Sequence, residues 1–164
     1  MEEITYQPIG TIHTPFQKAA GTPIQPAAGK GIQGKVAIRP DCQKGLQDLS
    51  GFSHIILLYH MHKAREFRLL TKPFMDDQKR GIFSIRAPAR PNSIGFSIVK
   101  LIKIEENILY IQDVDILDGT PLLDIKPWVS EFDQREAFDK GWLEENIHKL
   151  SKTRDDGRFE EDKE

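Results

Sequence analysis

Cysteine is nearly absent from this chain, which contains one, Cys42, among 164 residues. A single thiol excludes an internal disulfide and is typical of proteins kept in a reducing compartment. No base lies beside Cys42 in the sequence, so we interpret it as a bystander and not as a catalytic thiol. Long apolar runs are also missing, because the longest uninterrupted one covers only residues 55–58 and is too short to span a bilayer. The acidic start at Glu2 and Glu3 differs from a secretory signal, and we expect a soluble, cytoplasmic protein without a membrane partner.

Several sequence motifs of common enzyme folds are missing as well. The chain has no G-x-G-x-x-G after a strand, no G-x-x-x-x-G-K-[ST], no G-x-S-x-G and no H-E-x-x-H. These absences argue against a doubly wound nucleotide-binding fold, a serine hydrolase of the nucleophile-elbow type and a zinc protease.

Charge is nearly balanced over the whole chain but unevenly distributed along it. The formal net charge is -2, which argues against a protein that binds nucleic acid by bulk charge alone. Residues 60–103 hold ten Lys or Arg against three acids, whereas residues 104–164 hold eighteen acids against eight bases. The basic third therefore permits a phosphate-bearing partner on one face, although a solvated surface is an equally simple explanation.

Alternating apolar residues, with frequent proline and glycine between them, predict a mainly β chain with minor helix. Short connections favour antiparallel pairing, and the expected fold is a small antiparallel β-barrel. We expect a barrel domain at residues 1–135, followed at 136–164 by a C-terminal helix (142–152) and a charged, frayed tail (154–164). Strands are predicted at residues 4–13, 34–39, 52–62, 81–85, 96–104, 108–116 and 122–128, with a long loop at 14–33 and an irregular basic segment at 63–80.

The stretch at residues 86–97 is the most informative part of the sequence. It carries two arginines, Arg86 and Arg90, and two prolines that lack a backbone donor and prevent a helix. Loops of this kind often hold a ligand, since binding residues are concentrated on loops. An ordinary solvated loop with two surface arginines is the alternative.

Two further segments carry candidate chemistry. Asp113 and Asp115 would share one face of a strand, and Asp118 begins an acidic turn, so this region could bind a metal, a cation or sugar hydroxyls. Exposed strand residues and a plain turn are the alternative. His60 and His62 would project to one side of a strand end; without a third ligand they do not indicate a metal, and no metal is predicted. A histidine there is also a candidate acid or base.

Together these segments resemble the TsaA-like family, also called TrmO. Residues 86–97 read R-x-x-x-R-P-N-x-I-G-x-S, and residues 115–127 read D-x-L-D-G-T-P-x-L-D-I-K-P. The opening at residues 9–16 and the segment from Phe52 to His62 and Lys63 are also similar, so the resemblance covers about residues 4–130. It implies a non-Rossmann β-barrel methyltransferase that works as a homodimer, with the cofactor near the subunit interface.

The implied reaction uses S-adenosylmethionine to methylate N6 of threonylcarbamoyladenosine beside the anticodon of a tRNA. By the same resemblance, His62 is the first candidate for the base that removes the N6 proton, and Asp118 is the second. Longer relatives carry an additional C-terminal domain. The resemblance implies that the cofactor is bound by Pro23, Ile24, Gln25, His62, Lys63, Arg86, Leu117, Asp118, Gly119, Thr120 and Pro121. We expect the substrate to be bound by Arg65, Arg68 and Arg90, whose charge suits RNA phosphates, and by Asn92.

Three other functions remain compatible with the residues. The chain could be a non-catalytic RNA-binding barrel that keeps the pocket, or a methyltransferase of this family acting on a small molecule. A metal-dependent hydrolase is the most distant alternative.

Overall fold

Short runs of alternating apolar and polar side chains form eight strands within residues 2–160, the part of the chain that the computed structural model describes. Their β-branched residues suit the pleated backbone, and prolines and glycines separate the runs. In chain order the strands are β1 (Gly10–His13), β2 (Gln33–Ile38), β3 (His54–His60), β4 (Leu70–Thr71), β5 (Arg80–Gly81), β6 (Ile94–Glu105), β7 (Ile108–Gln112) and β8 (Thr120–Pro127).

Six of these strands close into a barrel. The order around the barrel is β1-β2-β7-β6-β3-β8, and every neighbouring pair is antiparallel. Closure removes the unpaired edges that an open sheet of this size would expose. Strands β4 and β5 pair only with each other, in a small sheet outside the barrel. The predicted fold class, a mainly β chain with a small antiparallel barrel, is therefore confirmed.

The barrel interior is filled by aliphatic side chains from all six strands. In β3 three consecutive residues, Ile55, Ile56 and Leu57, are buried, as the sequence predicts for a strand covered on both faces. A second, smaller cluster packs outside the barrel around Ile82, Ile85 and Phe159. The fully buried large side chains are Ile12, Val36, Ile55, Leu57, Ile82, Val99, Leu109, Ile111, Val114, Ile116 and Leu122.

Helical structure in the described residues is limited to short turns. The predicted helix at residues 142–152 is wrong, because the structure has two separate 3₁₀ turns, Gly141–Leu143 and Ile147–Lys149, in its place. A single four-residue α-helix, α1, spans Ser130–Asp133. None of the helices in residues 2–160 is long and apolar enough to cross a membrane. The other 3₁₀ turns of this part of the chain are Pro26–Ala28, Pro40–Leu46, Leu49–Gly51 and Ile82–Ser84.

Several predicted strands are longer than the observed ones. The strand predicted at residues 4–13 begins only at Gly10, and the one predicted at 81–85 is a 3₁₀ turn after β5. The strand predicted at 108–116 ends at Gln112, because Asp113 adopts a left-handed backbone with φ 68°. An extended ladder does not pass through that conformation, so the period-two argument for the acids after Gln112 fails.

The described part of the C-terminal tail packs against the body of the protein, which corrects the expectation of a frayed end. Phe159 is 2% exposed and packs in the second cluster. Backbone hydrogen bonds tie the tail to the body of the protein: the Gly21 amide donates to the Asp155 carbonyl at 2.8 Å, and the Arg65 amide donates to the Phe159 carbonyl at 3.0 Å. The last part of the predicted tail, residues 161–164, lies outside the described residues.

Candidate functional site

A cleft of about 690 Å³ opens where five segments of the chain and the side chain of Phe74 meet. The five segments are residues 19–25 of the long loop, residues 59–64 at the end of β3, residues 83–96, residues 115–120, and residues 155–160 of the tail. The volume lies within the roughly 300–1,000 Å³ typical of small-molecule sites. The cleft is therefore the first candidate for a functional site.

Most of the site residues predicted from the sequence line this cleft, and five of them do not. Asp118, Gly119, Pro121, Arg65 and Arg68 are not part of the lining, and their predicted roles stay predictions. Within residues 2–160 no three side chains of metal-ligand type lie together. The predicted residues that the fold brings together in the cleft are Pro23, Ile24, Gln25, His62, Lys63, Arg86, Arg90, Asn92, Leu117 and Thr120.

In the stretch at residues 86–97, the small residues between the two arginines are buried, and the arginines themselves line the cleft. Ala87 is 5% exposed and Ala89 is 4% exposed, and both pack in the second cluster. The neighbouring arginines are bonded to other parts of the cleft: Arg86 donates to Oε1 of Gln25 at 3.0 Å, and Arg90 donates to the carbonyl of Ile85 at 3.1 Å. Arg86 therefore connects this stretch to the opposite wall of the cleft.

His62 enters the cleft just beyond the end of β3. Its Nδ1 lies 3.4 Å from Oγ1 of Thr120, whose hydroxyl donates to the carbonyl of Leu117 at 2.7 Å. Because the hydroxyl hydrogen of Thr120 is used in that bond, Oγ1 can only accept from His62. This favours the His62 tautomer that carries its hydrogen on Nδ1 and leaves Nε2 as an acceptor. Partial burial, with the nearby charges of Lys63 and His60, lowers the pKa of His62, so the imidazole is neutral at pH 7.

Two predicted polar residues hold the long loop in place. Lys63 donates from Nζ to the carbonyl of Gln17 at 2.8 Å. Asp118 accepts hydrogen bonds from the Thr14 amide at 3.1 Å and from Nε2 of Gln17 at 3.2 Å, and its Oδ1 lies 3.3 Å from Nδ1 of His13. Burial would raise the pKa of Asp118, but these donors outweigh it and lower the pKa. Both oxygens of this carboxylate are thus engaged outside the cleft.

Asp115 is a cleft residue that the sequence named only as one of two strand acids, without a catalytic, cofactor-binding or substrate-binding role. Oγ of Ser97 donates to its Oδ1 at 2.7 Å, and the hydroxyl of Tyr59 lies 3.0 Å from the same Oγ. Burial raises the pKa of Asp115 to about 7, although the bond from Ser97 and the charge of Arg86 oppose the shift. Asp115 is the first residue of the motif at residues 115–127, and this position was the sequence signal that it belongs to the site.

The tail supplies a wall of the cleft that the sequence did not predict. Asp155, Phe159 and Glu160 all line it, and Oε1 of Glu160 accepts a hydrogen bond from the Ala19 amide at 3.1 Å. Burial raises the pKa of Asp155. The one sequence signal was Phe159 itself, a large apolar residue within a charged run.

A closed antiparallel barrel with a cleft of charged and apolar residues defines a barrel protein built around a small-molecule site. Residues 11–134 match the model of the tRNA-methyltransferase O N-terminal domain, and the chain belongs to this family. A crystal structure of TrmO is similar with a TM-score of 0.73 and 33% identity over 87% of this chain. The structure of TrmO from Pseudomonas aeruginosa is similar with a TM-score of 0.72 and 32% identity over 86% of this chain.

Among curated proteins, a probable S-adenosyl-L-methionine-binding protein of Pyrococcus abyssi is 58% identical over 156 residues, 95% of this chain. A tRNA (adenine(37)-N6)-methyltransferase of Mus musculus is 37% identical over 151 residues, 88% of this chain. The chain spans 85% of the Pyrococcus protein, 34% of the mouse protein and 63% of each of the two TrmO chains. It therefore corresponds to one part of the longer relatives.

Replacing Phe159 with alanine tests whether the tail is an integral wall of the cleft. Because Phe159 is 2% exposed, we expect Phe159→Ala to lower the free energy of unfolding by about 3 kcal/mol. We also expect faster hydrogen exchange at the amides of Gly21 and Arg65, which bond the tail. Phe138→Ala is the matched control, since Phe138 is 85% exposed and should change neither quantity. Equal exchange in the two variants would show that the tail is not anchored by Phe159.

Proposed function

We propose that the chain is an S-adenosylmethionine-dependent tRNA methyltransferase that methylates N6 of threonylcarbamoyladenosine beside the anticodon. The observation that carries this proposal is the convergence of Pro23, His62, Arg86 and Leu117, from four separate segments, on one cleft. The names of the Pyrococcus and mouse relatives supply the cofactor and the class of reaction. The threonylcarbamoyl group rests on the family resemblance of the sequence.

The cleft residues have the chemistry that S-adenosylmethionine requires. Arg86 and Lys63 offer cations for its carboxylate, and Ile24 and Leu117 offer apolar surface for its adenine. When bound, the cofactor supplies an electrophilic methyl group, so the protein need mainly align donor and acceptor. Asp118, which the sequence assigned to the cofactor, bonds the long loop instead of lining the cleft.

The rim of the cleft suits a nucleic-acid base. Phe83 is 77% exposed, yet it belongs to the lining. Exposed aromatic rings of this kind stack on an unpaired base, and a base that is modified must first leave its stack. Arg90 and Asn92, on the same side of the cleft, are proposed to contact the threonyl carboxylate or an RNA phosphate.

We also propose that the protein is a cytoplasmic homodimer. The scarcity of cysteine supports the reducing compartment. Ile94, Phe96 and Ile102 are all at least 45% exposed, and their even spacing in β6 gives the barrel an outward apolar face. We expect light scattering to return the mass of two chains, and the mass of a single chain would contradict the proposal.

Mass spectrometry of tRNA nucleosides tests the reaction directly. We expect tRNA containing threonylcarbamoyladenosine to gain one methyl group on N6 when incubated with the protein and S-adenosylmethionine. Unmodified adenosine at the same position should remain unchanged. Calorimetry with S-adenosylmethionine separates the alternatives: heat of binding without any tRNA product indicates another substrate, and no heat of binding indicates a non-catalytic RNA-binding barrel.

Reversing two exposed charges tests the tRNA surface. Arg65 and Arg68 are exposed beside the cleft and do not line it. We expect the double variant Arg65→Glu/Arg68→Glu to lose at least tenfold in tRNA affinity at moderate salt, because it removes two phosphate contacts, while the affinity for S-adenosylmethionine is unchanged. Its control is Lys44→Glu/Lys140→Glu, the same change of charge at exposed positions elsewhere. Equal tRNA affinity in both double variants would remove this surface from the proposal.

A further inference from the structure

Two residues at the end of the stretch at 86–97 have been given no role so far. They are Gly95, which faces Tyr59 where β6 pairs with β3, and Ser97, which is 1% exposed. A Cβ at position 95 would lie 2.0 Å from the ring of Tyr59. Glycine is required here because the ring of Tyr59 lies across the backbone of β6 at this point.

This packing connects the side chains of Tyr59, Ser97 and Asp115 through consecutive hydrogen bonds. The hydroxyl of Ser97 gives its single hydrogen to Oδ1 of Asp115 at 2.7 Å. The hydroxyl of Tyr59, 3.0 Å from the same serine oxygen, must therefore donate to it. Tyr59 is 7% exposed, and burial raises its pKa, so it remains a donor at every physiological pH. Two consecutive hydrogen bonds thus end on one carboxylate of the cleft.

The second oxygen of Asp115 is available to a ligand. No side chain or amide of another residue among residues 2–160 donates to Oδ2 within hydrogen-bond distance, and the amide of Asp115 itself is the one backbone donor near this carboxyl group. No buried side-chain oxygen in this part of the chain lacks a partner. Oδ2 is therefore reached from outside, and Asp115 lines the cleft. The charged and titratable groups that face this carboxylate are Arg86, whose charge favours its ionised form, and Tyr59, which stays neutral.

We propose that Asp115 accepts the proton that leaves N6 of the target adenosine, and that Ser97 and Tyr59 position its carboxylate. This proposal rests on the function proposed above. The lone pair of N6 forms a bond to the methyl carbon, and the carbon–sulfur bond breaks with its electron pair passing to sulfur. The N6 proton moves to Oδ2, which leaves a neutral carboxylic acid, a neutral thioether and a methylated nitrogen.

Asp115 suits this role better than the two residues that the sequence named. A proton acceptor is most effective when its pKa lies near the working pH, and the desolvated carboxyl of Asp115 meets that condition. Asp118 has both oxygens engaged by the long loop, and its pKa is lowered, which makes it a weaker base. His62 lines the cleft, and we assign it to cofactor binding, as the resemblance implies.

The titration of Asp115 tests the proposal without any turnover. In protein labelled with ¹³C at the aspartate carboxyl groups, we expect the Asp115 signal to titrate near neutral pH. Ser97→Ala removes a donor that stabilises the carboxylate, so we expect the midpoint to move to higher pH. Titration of Asp115 in the ordinary range of an aspartate, near pH 4, would overturn the proposal whatever the substrate proves to be.

Single-turnover methylation at saturating S-adenosylmethionine and tRNA tests the role in the reaction. The acceptor must be ionised, so we expect the wild-type rate to rise with pH through the pKa of Asp115 and then to level. Asp115→Asn should lose about 100-fold or more and lose this pH dependence, while its affinity for S-adenosylmethionine changes less than threefold. Ser97→Ala should move the rise of the methylation rate to higher pH. His62→Ala should weaken cofactor binding and keep the rise of the rate at the wild-type pH.

Asp113→Asn is the matched control for this series. Asp113 lies two residues away, and its Oδ1 accepts from the Gly31 amide at 2.7 Å outside the cleft. Asparagine tolerates its left-handed backbone and keeps that acceptor, so the rate should equal that of the wild type. The proposal would be overturned if Asp115→Asn kept the wild-type rate, or if His62→Ala were the variant that lost the pH dependence of the rate. Absence of a methylated product from the wild-type protein would contradict the proposed function, and the titration would still decide the state of Asp115.

Discussion

The pairing of β3 with β6 on one side and β8 on the other is the constraint on which the site depends. Because all three strands are antiparallel to their neighbours, the end of β3 meets the beginnings of both partners. His60 pairs with Ile94, and Tyr59 pairs with Leu122. Three segments that are far apart in sequence therefore reach the same rim of the barrel, and each carries part of the cleft.

The same pairing controls the electrostatics of the cleft. The register that sets Tyr59 against Gly95 also sets Leu57 against Ser97, so the tyrosine hydroxyl meets the serine diagonally across the two strands. The serine in turn fixes one oxygen of Asp115, whose other oxygen is left to the cleft. A shift of the register by one residue would turn Ser97 to the other face of β6 and break both of these hydrogen bonds.

Much of the barrel was accessible from the sequence, because its strands show the period-two pattern or a continuous apolar run. The residues of the two motifs also pointed to the cleft, and Arg86 and His62 lie in it. The pattern failed where backbone geometry changes within a run. Asp113 leaves the extended conformation, so Asp113 and Asp115 do not share a face, and only Asp115 enters the cleft. A single sequence does not display such a left-handed residue when it is not glycine.

The tail escaped prediction for a different physical reason. Its composition is mostly charged, and such a segment normally remains solvated because it has too little apolar surface to bury. Here Phe159 packs against the second cluster, which offers an edge contact with Phe74 and a surface already made apolar by Ile82 and Ile85. Backbone hydrogen bonds at Gly21 and Arg65 add to this contact.

The family match ends at residue 134, yet the tail lines the cleft. The groups assigned to the reaction, Arg86 and Asp115, thus come from the matched barrel, and part of the wall around them comes from outside it. That wall is acidic as well as apolar, because Asp155 and Glu160 stand beside Phe159 in the lining. Their carboxylates lie beside the basic segment at residues 60–103, since Glu160 bridges to Ala64 and the Arg65 amide donates to the Phe159 carbonyl. The tail therefore offsets part of the positive charge that this segment brings to the rim of the cleft.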